Sequence, residues 1–306
     1  MSTLVYVIAY LGILVFVGAV IAKAAAYKRK PLHLRWELYP VAHEPGRADY
    51  GGSYLEDVGW WQKPRHSSLV GELKVMVPEI LFLKAVWEFN RPLWYLTYPF
   101  HLGLYITAAF VALLLASAIG QVAGVQLPLG QALAILGPAG FGLTILGAVG
   151  LFWRRLTSTE MRNYSSVGHF FNLAWFVVAM GVAAVAWWTV DPTFANLTGF
   201  LANAMRLRFE PIAEPLVAVE LLLAFTLLAY IPLTHMAHFF MKYFMYHDIR
   251  WGDDPNVNNP ARSAQIAAVL QYPVTWSAPH IAGHGKTTWA EVATFNPAAA
   301  AASKKE

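Results

Sequence analysis

The stretch "LWYLTYPFHLGLYITAAFVALLLASA", from Leu93 to Ala118, decides the fold class of this chain. It contains no charged side chain and a single histidine, His101. A transmembrane α-helix needs about 20 apolar residues to cross about 30 Å of hydrocarbon, so this stretch predicts a membrane span. The whole chain is similar, with 57% apolar and 13% charged residues and a mean hydropathy of +0.45. These values predict an integral membrane protein.

Four further segments share this length and apolar character: Leu4–Ala22, Ala132–Trp153, Phe170–Val190 and Leu216–Tyr246. Together the five segments predict an all-α integral membrane protein, a bundle of five transmembrane helices. The chain then has four parts, which are a first transmembrane helix in residues 1–26, a loop in 27–91, a four-helix membrane core in 92–246 and a tail in 247–306. Small residues in "GPAGFGLTILGAVG", residues 137–150, predict a close approach of two helices or, alternatively, room for a flat macrocycle.

Basic residues indicate the orientation of the bundle. The segment from Lys28 to Arg91 is rich in Lys and Arg, whereas the connection between the second and third spans has none. Cytoplasmic loops carry the excess of Lys and Arg, so the N-terminus is expected outside, and the C-terminus and the long loop between helices 1 and 2 inside. The first span is not a secretory signal, because its basic cluster "YKRK" follows it. We expect a lipid bilayer and no nucleic acid among the partners.

The inner loop ends in an amphipathic segment, "SSLVGELKVMVPEILFLKAVWEFN", residues 67–90. Its apolar residues recur every three or four positions, which predicts a helix at the membrane surface, broken at Pro78. It could serve as an anchor, as a docking platform for a soluble partner, or as both. The chain has no cysteine, which excludes disulfides, thiol nucleophiles and cysteine-ligated iron–sulfur clusters within it.

Three histidines, His101, His235 and His238, lie inside predicted spans, and His169 stands at the mouth of another. Ionisable residues in a span are costly and point to function, although a neutral histidine bonded between helices is the ordinary alternative. The second span is expected to start at the inner side of the membrane and the fifth to end there, so the two helices are antiparallel. His101 lies ten residues after Arg91 on the way in, which corresponds to about 15 Å.

His238 lies ten residues before Asp248, at the inner end of the fifth predicted span. It is therefore expected at the same depth as His101, about 15 Å below the inner boundary. Two histidines at equal depth on antiparallel helices can ligate a haem iron from both sides. His235, three residues before His238, is a competing ligand, or it could bond a haem propionate or a quinone carbonyl.

Three motifs, "YPFHLGLYI", "FWRRLTSTEMRN" and "YIPLTHMAHFF", resemble helix signatures of the cytochrome b (gamma) subunit of membrane-bound respiratory nitrate reductase. The loop motifs "HLRWELYPVAHE" and "GGSYLEDVGWW" resemble the b-type subunits of Tmc- and Dsr-type redox complexes. The resemblance implies a haem b in the 92–246 core and a quinone, with menaquinone expected, as substrate. It also implies a cytoplasmic cysteine-rich iron–sulfur subunit as partner, a multihaem cytochrome c among further subunits, and the cytoplasmic membrane of a bacterium or archaeon.

That family carries two haems, each held by two histidines. The inner ligands fall on His101 and His238, whereas the outer ligand positions fall on Val111 and Glu220. Neither of these is an ordinary haem ligand, so the resemblance implies one remaining haem b. Eighteen residues make five helical turns, which would put Glu220 on the same helix face as His238. Glu220 could extend to water at the membrane rim, or it could accept a proton or line a cavity.

The remaining candidates lie near the inner rim. His169 could anchor its helix at the interface or bond a quinone headgroup or a propionate. Three arginines could mark topology or pair with propionates: Arg91, Arg154 and Arg155. The chain is thus expected to exchange electrons between a quinone and an inner iron–sulfur partner, with the quinone in the inner half of the membrane. A cofactor-free membrane anchor and an ion or proton transporter are the alternatives.

Overall fold

The fold is described by a computed structural model. It describes residues 2–29, 58–59, 62–64, 66, 68–241, 260–276 and 287–295. The chain divides into two compact units, one made of Met1–Val20 and Lys74–Met236 and the other of Ile21–Leu73 and Ala237–Glu306. Much of the predicted inner loop, including "HLRWELYPVAHE", and most of the predicted C-terminal tail lie outside the described residues.

The prediction of an all-α bundle with five spans is confirmed. Five helices are long and apolar enough to cross a membrane. They are α1 (Ser2–Arg29), α4 (Arg91–Val122), α5 (Gly130–Thr157), α7 (Val167–Thr189) and α9 (Pro215–Tyr230), the last extending as a candidate span to Leu233. Shorter helices join them: α2 (Leu69–Phe82), α3 (Lys84–Phe89), α6 (Thr159–Asn163) and α8 (Ala195–Met205). The described residues contain no β-strand.

Glycines bring α4 and α5 into close backbone contact, as "GPAGFGLTILGAVG" predicts. A Cβ on Gly147 of α5 would collide with the Phe100 backbone of α4, and a Cβ on Gly140 would lie 2.6 Å from Thr107 Oγ1. Gly103 of α4 has the same role, because a Cβ there would collide with the Thr144 backbone. In lipid, helix association depends on such close packing rather than on the hydrophobic effect.

One apolar core lies where α8 meets the spans. Tyr6 of α1 stacks on Phe200 of α8 with ring centroids 4.4 Å apart, and the Tyr10 hydroxyl donates to the Ala204 carbonyl at 2.7 Å. Phe194, just before α8, lies against Phe110 of α4 at 4.6 Å. Helix α8 is not among the elements predicted from the sequence, because it is too short to be a span, although its buried Leu197 and Phe200 are three residues apart.

A second core lies toward the other end of the bundle, where α4 begins and α9 ends. Its buried members come from α4, α5, α7 and α9 and are Phe100, Ala148, Leu151, Leu173, Phe176, Ala179 and Leu227. The closely packed pairs are α4 with α5, α5 with α7 and α7 with α9. This places the end of α9 beside the beginning of α7.

The predicted fifth span, Leu216–Tyr246, is too long. Helix α9 ends at Tyr230, and short 3₁₀ turns follow at Ile231–Leu233 and His235–Ala237. Pro232 has no N–H group to continue the α-helical ladder, and Thr234 between the turns is extended, with φ −113° and ψ −175°. Hydropathy alone did not reveal this end, because "IPLTHMAHFF" stays apolar beyond it.

The amphipathic segment forms α2 and α3, but the predicted break is misplaced. Helix α2 continues through Pro78, and the chain turns instead at Leu83, which has a left-handed φ of 53°. A Glu79 carboxylate oxygen accepts a hydrogen bond from the Ala85 N–H at 2.9 Å, which satisfies a donor at the start of α3. The described part of the second unit includes the short helices α10 (Pro260–Leu270) and α11 (Trp289–Thr294).

Candidate functional site

His101 is partly buried on α4, and its ring orientation is set by its own helix. Its Nδ1 lies 2.9 Å from the Thr97 carbonyl oxygen, one turn earlier. A carbonyl oxygen only accepts hydrogen bonds, so Nδ1 carries the proton and Nε2 carries the lone pair of the neutral ring. Metal-bound histidines in proteins are commonly oriented by such a bond from the other ring nitrogen. The His101 ring therefore fits an axial ligand of a haem iron.

The face of α4 that carries His101 is turned toward α2 rather than α5. Tyr105, one turn after His101, donates to the Ile80 carbonyl at 2.6 Å. Trp94, about two turns before His101, donates to the Phe82 carbonyl at 2.7 Å. Residues spaced by three, four or seven positions share a helix face. A haem on His101 would thus be bordered by α2, an element outside the expected 92–246 core.

The structure removes part of the geometric argument for His238. His235 and His238 both follow the candidate span, which ends at Leu233. The equal depth of His101 and His238 was expected from a continuous fifth helix, and the helix is interrupted at Thr234. For the same reason, the count of five helical turns no longer supports a shared helix face for Glu220 and His238. His238 belongs to the second unit, so its pairing with His101 stays a prediction.

His169 and His235 are brought together by the packing of α7 against the end of α9. Their ring centroids lie 4.8 Å apart with planes tilted by 43°. His169 Nδ1 accepts a hydrogen bond from the Ser166 backbone N–H at 2.9 Å, as part of a cap on α7. In the neutral ring the proton therefore lies on Nε2. His169 has the opposite tautomer to His101 and suits donation to an oxygen acceptor.

Two residues that the sequence reading missed lie beside this histidine pair. The Tyr230 hydroxyl donates to Asn172 Oδ1 at 2.8 Å, and Asn172 is only 6% exposed. The Tyr230 ring lies 4.8 Å from Trp175 and 5.8 Å from Phe171, both of α7. An amide inside a predicted span was the available signal, since buried polar groups in membranes require partners.

Glu220 is buried at the far end of α9, near Asp191. It is 7% exposed, and within the described residues no group donates a hydrogen bond to its carboxylate. Asp191 is 2% exposed, interacts electrostatically with Glu220, and accepts hydrogen bonds from the Asn196 and Leu197 backbone N–H groups. Glu220 therefore does not extend to water at the rim. Val111, the other outer ligand position, is 44% exposed on the bundle surface.

The three arginines near the inner rim have different surroundings. The Arg91 guanidinium lies 4.7 Å from the centroid of the Trp87 ring, a cation–π contact. Arg154 is exposed. Arg155 donates to Ser165 Oγ at 2.7 Å, and its buried Nε has no acceptor within the described residues. Arg155 is thus the arginine with a donor left to offer to an anionic group.

The described residues contain no group of three or more His, Cys, Asp or Glu side chains arranged to hold a metal ion. Comparisons with protein-family models, with curated proteins and with solved structures find no match to the chain. The five apolar helices nevertheless identify a multi-pass membrane protein whose partner is a lipid bilayer.

Proposed function

We propose that the chain is the membrane cytochrome b subunit of a respiratory redox complex. It would exchange electrons between the quinone pool, with menaquinone expected, and a cytoplasmic iron–sulfur partner subunit through one bis-histidine haem b. The observation that carries the proposal is the orientation of the His101 ring on a membrane span. Its Nδ1–H donates to the Thr97 carbonyl oxygen, which is the tautomer that a histidine bound to a metal through Nε2 has.

His101 and His238 would hold the haem iron, and Arg155 would offer its buried Nε to a propionate. A haem supplies one-electron chemistry, whereas a quinone exchanges electrons together with protons. The chain therefore needs polar groups for the quinone as well as ligands for the iron. His169 and His235, brought together at the end of α9, are such groups, and the buried Glu220 is a second candidate at the other end of the same helix.

The partner follows from what the chain lacks. Without cysteine it cannot ligate an iron–sulfur cluster, so onward transfer of electrons requires another subunit. The resemblance to b-type subunits of Tmc- and Dsr-type complexes suggests a cysteine-rich iron–sulfur protein on the cytoplasmic side and a multihaem cytochrome c as a further subunit. The segment formed by α2 and α3 is one candidate for its docking, because it belongs to the loop expected on that side.

The haem-to-protein ratio of the purified chain, from a pyridine haemochrome spectrum, tests the proposal. We expect a value near one, and His101→Ala and His238→Ala should each abolish it. A value near two would mean that His235 or His169 serves a second iron. If the His238 variant keeps its haem while His235→Ala loses it, the second ligand is His235.

A cofactor-free membrane anchor is the second candidate. Two observations favour it: the backbone contact of α4 with α5, which leaves no space for a macrocycle between these two helices, and the replacement of both outer ligands by Val111 and Glu220. A purified chain without a Soret band would decide for the anchor and against the cytochrome.

A further inference from the structure

A group of polar side chains between α7 and the end of α9 is not required to hold a haem iron. We call it the junction cluster, and it consists of His169, Asn172, Tyr230 and His235. We propose that the junction cluster binds the ring of a quinone, with the Asn172 amide and His169 Nε2–H as donors to its carbonyl oxygens. This inference rests on the proposed function, which supplies the quinone as the electron-carrying substrate.

Asn172 carries the inference furthest. The residue is buried, with 6% of its surface exposed. Its Oδ1 accepts from the Tyr230 hydroxyl, which leaves the amide nitrogen with two N–H donors. Within the described residues, no group accepts a hydrogen bond from that nitrogen. The amide nitrogen can therefore donate to a ligand that carries an acceptor oxygen.

His169 supplies a second donor from the same side of α7. It lies three residues before Asn172, a spacing that puts two side chains on neighbouring positions of a helix surface, about 5–6 Å apart at their Cβ atoms. Because its Nδ1 accepts from the Ser166 N–H, the neutral ring donates through Nε2. Nε2 could bind a metal ion only in the other tautomer, in which the proton lies on Nδ1. The hydrogen bond from the Ser166 N–H to Nδ1 disfavours that tautomer. The cluster therefore selects an oxygen acceptor.

The surroundings select an apolar ring that reaches the site through lipid. Aromatic side chains border the donors, with Trp175 4.8 Å from the Tyr230 ring. Phe171 is 50% exposed on the surface of a membrane span, so the cluster lies next to the lipid-facing side of α7. A planar, lipid-soluble molecule with carbonyl oxygens meets all these conditions, and a quinone is such a molecule.

The residues of the cluster and the proposed iron–sulfur partner together account for the protons and electrons of the reaction. Oxidation of a bound quinol breaks its two O–H bonds, releases two protons and delivers two electrons to the electron path toward the iron–sulfur subunit; reduction of a quinone is the reverse. A histidine can take or give a proton at such a site. His235, whose ring contacts His169, can pass that proton toward the end of α9.

Binding of the fluorescent quinol analogue 2-heptyl-4-hydroxyquinoline N-oxide to the full chain in lipid nanodiscs tests this inference. Its fluorescence is quenched on binding, which gives a Kd without turnover. Asn172→Leu removes the donor at similar volume, and we expect Kd to rise about tenfold. Tyr230→Phe keeps every ring contact but releases Asn172, and we expect a rise of about threefold. Haem content is measured on every sample.

Two controls locate the effect. Thr226→Val on α9 removes a hydroxyl that bonds only its own helix, through the Leu222 and Leu223 carbonyls, and should leave Kd unchanged. Glu220→Gln should also leave Kd unchanged, and a weakening there instead of in the cluster would move the quinone to the other end of α9 and overturn the inference.

Failure of this inference and failure of the proposed function give different results. Normal haem content with a parental Kd in both Asn172→Leu and Tyr230→Phe overturns the quinone site alone. If Asn172→Leu does not fold, Tyr230→Phe decides. A chain without haem overturns the proposed function, and a parent chain that does not quench the analogue overturns the quinone site whatever its haem content.

Discussion

At the scale of single residues, Asp191 shows how one buried carboxylate organises a helix that the sequence did not reveal. Its two oxygens accept from the Asn196 and Leu197 backbone N–H groups at 3.2 and 3.1 Å. These N–H groups lie in the first turn of α8, where no preceding turn offers a carbonyl. Removing the acceptor from a 2% exposed position leaves the donors without a partner.

We therefore expect Asp191→Ala to lower the stability of the detergent-solubilised protein by about 2 kcal/mol. Asp191→Asn retains one acceptor oxygen and removes the repulsion from Glu220, so it should cost less than about 1 kcal/mol. Thermal unfolding followed by tryptophan fluorescence measures both. Glu210→Ala, an exposed acidic residue in the following loop, is the control. Equal unfolding temperatures for Asp191→Ala and the parent would show that the carboxylate does not cap α8.

The candidate histidines could be named from the sequence, but their chemical roles could not. Ionisable residues in apolar segments are visible in any hydropathy reading, which is how His101 and His169 were found. Which ring nitrogen carries the proton depends on local bonds, to Thr97 in one case and to Ser166 in the other. Asn172 went unnoticed because only ionisable residues in the spans were singled out, and its partner Tyr230 lies 58 residues away.

At the scale of helices, the α4–α5 contact depends on glycines whose role is steric. A methyl group on Gly147 would overlap the Phe100 backbone, which cannot move aside as a flexible side chain would. Gly147→Ala should therefore push α4 and α5 apart and cost about 2 kcal/mol of stability. Gly142, on the same helix, has nothing within 4 Å of an added Cβ.

Gly142→Ala is the matched control for Gly147→Ala. It should leave stability unchanged or raise it by up to about 0.5 kcal/mol, because alanine restricts the unfolded chain. Unfolding temperatures in the same detergent compare the two. Equal unfolding temperatures for the two variants would mean that α4 and α5 are not in backbone contact at Gly147.

The turn between α2 and α3 gives a second prediction for a local element. Leu83 has φ 53° and ψ 50°, a left-handed conformation that costs an L-residue about 1–2 kcal/mol. Stability should thus decrease in the order Leu83→Gly, parent, Leu83→Val, because glycine has no Cβ and a β-branched residue crowds this conformation most. The measurement is again thermal unfolding. A valine variant as stable as the glycine variant would mean that the chain does not turn at Leu83.

At the scale of the whole molecule, the number and approximate position of the spans could be predicted because burial in lipid requires long apolar helices. The end of the fifth span could not be predicted, because the apolar sequence continues past Pro232 whereas the α-helix ends before it. The contact between His169 and His235 could not be predicted either, because it depends on the packing of α7 against α9 and not on a local sequence pattern. Composition determines that a segment lies in lipid, whereas tertiary contacts determine which of its residues meet.

The orientation of the bundle across the membrane is the last prediction, and the absence of cysteine makes it measurable. We expect the α4–α5 connection outside and the α5–α7 connection inside, because Arg154, Arg155 and Arg162 flank the latter and the former has no basic residue. Gln126→Cys and Glu160→Cys each introduce one thiol at an exposed position of these connections. In intact cells a membrane-impermeant maleimide should label the Gln126 variant only, and it should label both after permeabilisation. The cysteine-free parent is the background control, and labelling of the Glu160 variant alone in intact cells would invert the bundle and move the expected iron–sulfur partner to the opposite side.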